Sequence, residues 1–137
     1  MKKNKVQGAA AIELALLLPW LLLMIDGIAE FGILTYNQSV LVNASYLAAR
    51  AGIGGGPSKL SPQDVAQMAQ DSASSRLILI AKNTNTVVRV TQASEPYFQL
   101  PLTVTVEYTY QGLLIGGFLA ALQLQLTMNT TAVMYNE

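Results

Sequence analysis

The residues of this chain best equipped for chemistry are its carboxylates, and most of them are placed where they cannot cooperate. Asp64, Asp71, Glu95, Glu107 and Glu137 are scattered along the C-terminal part of the sequence, with no spacing that brings two of them together as a general acid and base. The chain contains no histidine and no cysteine, which removes the usual imidazole base, the imidazole and thiolate metal ligands, and any disulfide framework. Gly54, Gly55 and Gly56 are followed by Pro57, not by the Lys-Thr and helix that a phosphate-cradling loop requires. The expectation is a protein that is not an enzyme and uses no cofactor and no metal. Formal net charge is zero, so the sequence carries no electrostatic footprint for nucleic acid either.

Glu13 is the exception among the acids, because of what surrounds it. From Ala9 to Ile25 it is the single ionisable residue, and the apolar character resumes after Asp26 as far as Leu34. That run is long enough to cross a hydrocarbon layer of about 30 Å. A charge at the centre of a spanning helix costs about 2.5 to 3.5 kcal/mol on insertion scales, and less near an interface. Such a residue is expected to have a task. Ahead of it stands a basic leader, MKKNKVQG, whose Lys2, Lys3 and Lys5 favour a cytoplasmic N-terminus. A cleavable secretory signal shares the basic start, but its apolar core is usually shorter and closes on a small-x-small site. Pro19 is tolerable here because membrane helices accept proline as a kink, which places an expected bend near residues 15–19.

The order of basic leader, Gly8, four small or apolar residues, Glu13 and an apolar run resembles a type IV prepilin segment. Residues 7–39, QGAAAIELALLLPWLLLMIDGIAEFGILTYNQS, resemble more closely the start of the TadE-like family, minor pilins or pseudopilins of tight-adherence pilus systems. Shared features are the Gly-Ala-Ala-Ala-aliphatic-Glu run, the internal proline, and the block Gly27-Ile28-Ala29-Glu30-Phe31-Gly32. The resemblance implies cleavage by a prepilin peptidase between Gly8 and Ala9, and pairing of Glu13 with the new amine of a neighbouring subunit. It further implies as partners other pilin and pseudopilin subunits and an assembly platform with a secretion ATPase. The expected location is the bacterial inner membrane, single-pass, with the N-terminus cytoplasmic and the domain periplasmic, or outside the cell once in a pilus. The alternative is an uncleaved single-pass envelope scaffold or binding protein, which accounts for everything except Gly8 and Glu13.

The remaining elements must position that anchor. The expected division is a leader over residues 1–8, a transmembrane helix over 9–34 and an extracytoplasmic pilin-like α+β domain over 35–137, which includes the second half of the long helix. Ile33, Tyr36, Val40, Ala44, Leu47 and Ala51 recur at helical spacing as one apolar stripe, with Asn37, Gln38, Ser39, Asn43 and Ser45 on the rest of the surface. Residues 52–57, GIGGGP, predict the end of that helix through a left-handed cap and a proline.

Ser61-Pro62-Gln63-Asp64 predicts a helix start, running to about Ser74 with Val65, Met68, Ala69 and Ser72 on its docking face. Residues 77–80 fit either an extension of this helix or a short strand. Beyond Asn83 the period becomes two. Strands are predicted over residues 86–92, over 102–110 with Leu102, Val104, Val106, Tyr108 and Tyr110 on one face, and over 122–135. In the last, Leu122, Leu124, Leu126, Met128, Ala132 and Met134 point inward. Three antiparallel strands with one apolar face need a cover, and the long helix supplies it. The connection over residues 111–121, QGLLIGGFLAA, is unusually apolar. Either Leu113, Leu114, Phe118 and Leu119 tuck under the sheet, or they form an exposed patch for subunit contact or for resting on the membrane.

Overall fold

A computed structural model describes residues 3–54, 60–79, 86–92, 101–112 and 115–135. The described elements are helix α1 (Lys3–Gly52), helix α2 (Pro62–Ser74), strands β1 (Thr86–Gln92) and β2 (Pro101–Tyr110), helix α3 (Ile115–Ala121) and strand β3 (Leu126–Tyr135). The class is α+β, with a long N-terminal apolar helix, a short helix and a three-stranded antiparallel sheet in the order β1-β2-β3. Helix α1 passes through Pro19 without interruption.

Strand β2 is central because every second residue is apolar and large. Leu102, Val104, Val106, Tyr108 and Tyr110 are buried, as their alternation predicts, and pair with Met134, Ala132, Thr130, Met128 and Leu126 of β3. Against this face lie Val40, Leu41, Ala44, Ala48 and Ala49 of α1, and Val65, Ala69 and Ala73 of α2 complete the core. Burying a side chain the size of Leu41 or Val104 contributes about 1.5 to 3 kcal/mol. Alanines on both helices let the backbones come close to the sheet. Helix α2 begins where its sequence says. Ser61 Oγ accepts from the Asp64 amide at 3.2 Å, and Asp64 Oδ2 accepts from the Ser61 amide at 3.2 Å. A cap of this kind is worth about 1 kcal/mol.

The packed face of α1 differs from the expected stripe. Tyr36 and Leu47 are exposed, whereas Asn37 and Ser45 are fully buried. Asn37 can be buried because both ends of its amide are used: Nδ2 donates to the Ile78 carbonyl at 3.1 Å, and the Ile78 amide donates to Oδ1 at 3.0 Å. Ser45 donates to the Val42 carbonyl at 2.9 Å. The true face therefore follows residues 37, 40, 41, 44, 45, 48, 49 and 52, and small or satisfied side chains define it better than large apolar ones.

The end of α1 also differs. No described glycine has a positive φ, so no left-handed cap is used here. Gly52 is required for space instead: a β-carbon there would collide with Leu102 Cδ2 and come within 3.0 Å of Val65 Cγ2. Gly55 and Gly56, Pro57, and the break at Glu95-Pro96 lie outside the described residues.

On α2, Met68 is exposed, Ser72 is half-buried and Ala73 joins the docking face. Residues 77–79 are neither helix nor strand, with Leu77 anchored in the core and Ile78 engaged by Asn37. Strand β3 starts at Leu126, and Leu122, Leu124 and Leu126 are exposed. Gln123, at φ 60°, turns the chain before the strand begins. The apolar connection contains its own helix, α3.

Candidate functional site

Gly8, Ala9 and Glu13 stand on the exposed surface of α1. A β-carbon on Gly8 would meet nothing within 4 Å, so its lack of a side chain is not a packing requirement of this fold. All residues from 8 to 25 are exposed, including Leu14, Leu16, Leu17, Leu18, Trp20 and Leu21. A helix that is apolar all round is stable only inside a protein or in lipid, and this stretch is not inside the protein. It is long and apolar enough to cross a membrane, as expected of a single-pass anchor.

Of the residues expected to form an apolar patch, Phe118 is 66% exposed. Leu113 and Leu114 lie outside the described residues, as does the side chain of Leu119. Leu122 and Leu124, which the alternation had assigned to the core, are exposed as well.

Glu30 was missed by sequence reasoning. It is 5% exposed, and the Gly116 amide donates to both of its oxygens, at 3.2 Å to Oε1 and 3.1 Å to Oε2. A β-carbon at Gly112 would lie 2.6 Å from Glu30 Oε1 and 2.7 Å from Gly116 Cα, so the chain closes over this carboxylate only with glycine there. Beside it, the Tyr110 hydroxyl is buried with no hydrogen-bond partner among the described residues. Burial pushes the Tyr110 phenol above its ordinary 10.0, and the charges of Glu30 and Asp26, with Tyr108, push the same way. In the sequence Glu30 is only an acid within the apolar stretch that resumes after Asp26, and nothing local links it to Gly112 and Gly116. Among the described residues, no group of three or more acids is placed to hold a metal ion.

This helix is also where the chain resembles known proteins. The family model for TadE-like protein matches residues 8–50, which is α1 from Gly8 almost to its end. Over these residues the helix is similar to TadE-like protein. No curated protein and no solved structure matches the chain.

Proposed function

We propose that the chain is a minor pilin or pseudopilin of a tight-adherence type IV pilus system, with an assembly role and no catalytic one. A prepilin peptidase cuts after Gly8, leaving Ala9 as the new N-terminus with Glu13 about one helical turn along. The subunit waits in the bacterial inner membrane with its domain in the periplasm. An assembly platform with its secretion ATPase then moves it into or beneath an adhesive filament, where the bare anchor, residues 8–25, packs through residues 9–25 against helices of other pilin subunits. Glu13 pairs with the free amine of a neighbour, an attraction that a low-dielectric surrounding strengthens.

One observation carries this reading: the matched segment coincides with a single unbroken helix whose first half is apolar and bare and whose second half is packed into a domain. The test is mass spectrometry of the chain extracted from membranes of cells that have the peptidase. An N-terminus at Ala9 is expected, and an intact leader would favour an uncleaved envelope scaffold. A Glu13→Ala variant is expected to be processed but to assemble poorly; normal assembly would remove the pairing step.

A further inference from the structure

The two ends of the sheet meet α1 at different heights. Gly52 packs on Leu102, at the start of β2. Glu30, about 33 Å back along the helix at 1.5 Å per residue, meets Gly112 and Gly116, just past the end of β2. Strand β2 therefore runs down α1 toward the anchor, and β3 returns beside it. Leu126 and Met128, at the start of β3, line a groove with Leu34 and Gln38, a turn or two above Glu30. The β2–β3 connection is consequently the anchor-facing end of the sheet. A hydrocarbon layer of about 30 Å takes about 20 helical residues, which counted from Ala9 puts its outer boundary near Ile28. Glu30 and the helix α3 it holds then stand at headgroup level.

The composition of this end fits that position. Residues 111–135 contain no Asp, Glu, Lys or Arg. Phe118, Leu122 and Leu124 are 66, 55 and 57% exposed. Apolar groups of this size are unfavourable in water but suit the boundary between headgroups and acyl chains.

We infer that α3 and the turn after it are a second membrane contact, a foot that rests in the outer edge of the bilayer through Phe118, Leu122 and Leu124. Glu30 clamps the foot to α1 through the Gly116 amide, which fixes its height and the tilt of the domain above it. This rests on residues 8–25 being the anchor, as proposed above.

The test uses the full chain in vesicles of phosphatidylethanolamine and phosphatidylglycerol, with or without brominated acyl chains. Trp20 is the sole tryptophan and reports on the anchor. In a Trp20→Phe background, Phe118→Trp and Leu122→Trp report on the foot, and Tyr46→Trp reports on the upper half of α1. Brominated lipid is expected to quench the two foot probes as it quenches Trp20 in the native chain, and to leave Tyr46→Trp unchanged. If both foot probes match Tyr46→Trp while Trp20 is quenched, the foot lies in water or on another subunit, and the inference fails with the anchor intact. If Trp20 is itself unquenched, anchor and foot fall together.

Discussion

The two halves of α1 belong to one continuous helix but are built from different residues for different neighbours. Residues 8–25 are rich in leucine, and all of them are exposed. From Glu30 to Gly52 the buried positions are held mostly by Ala, Ser, Asn and Gly, with Glu30, Val40 and Leu41 the large exceptions. Large apolar side chains therefore mark the half that meets lipid, and small ones mark the half that meets protein. Close approach between helix and sheet needs short side chains, whereas lipid has no fixed shape to match. The lesson is that apolarity alone does not locate this protein's core; residue size and satisfied polarity do.

The strongest way to break this contrast is to remove bulk from each side. Leu41→Ala, in the second half, empties a site that is 0% exposed and is expected to cost about 2 to 5 kcal/mol. Leu17→Ala removes bulk from a position that is 64% exposed, and is expected to leave domain unfolding unchanged within about 0.5 kcal/mol. Denaturant unfolding of the detergent-solubilised chain, followed by circular dichroism, checks both. Equal losses would mean that the first half of α1 has a packing partner within the chain.

A smaller effect sharpens the same comparison with one residue type. Asn37 and Asn43 are both on α1, but Asn37 is fully buried and bonded both ways to Ile78, while Asn43 is exposed. Asn37→Ala leaves the Ile78 carbonyl and amide without their partner and is expected to cost about 2 kcal/mol. Asn43→Ala is expected to cost less than about 0.5 kcal/mol. Hydrogen exchange at the Ile78 amide should quicken in the first variant and not in the second.

These residues also mark where the sequence could be read and where it could not. The anchor, the Ser61 cap and the β2 alternation were legible because each rests on a local rule: length of apolar run, a side chain reaching three residues on, a period of two. The packed face of α1 was not, since Asn37 is buried only because Ile78, far along the chain, supplies its hydrogen bonds. Leu122 and Leu124 continued the period of β3 in sequence, yet the turn at Leu122 and Gln123, the latter at φ 60°, leaves both leucines outside the strand. Glu30 was invisible for the same reason as Asn37: Gly112 and Gly116, which enclose it, reach it only through the reversal of β2 into β3. Processing at Gly8 and Ala9 and pairing through Glu13 are expectations of the family resemblance alone, and the fold leaves all three residues exposed.

The smallest expected effect concerns the crowded end beside Glu30. The Tyr110 hydroxyl is buried without a partner among the described residues, and burial raises its pKa above 10.0, with nearby negative charge adding to the shift. Since the folded state holds the proton more tightly than the unfolded state, the phenol contributes stability below pH 10.0. That contribution is lost as pH rises through the higher folded value. Tyr110→Phe keeps the ring against Gly116 and deletes both the orphaned hydroxyl and its titration. At about pH 8 the variant is expected to match or exceed the native chain by up to about 1 kcal/mol, because an unsatisfied buried group is removed. Above about pH 10 the native chain should lose stability relative to the variant. Parallel unfolding curves across that alkaline range provide the check, and an equal alkaline loss in both proteins would place the titrating group elsewhere.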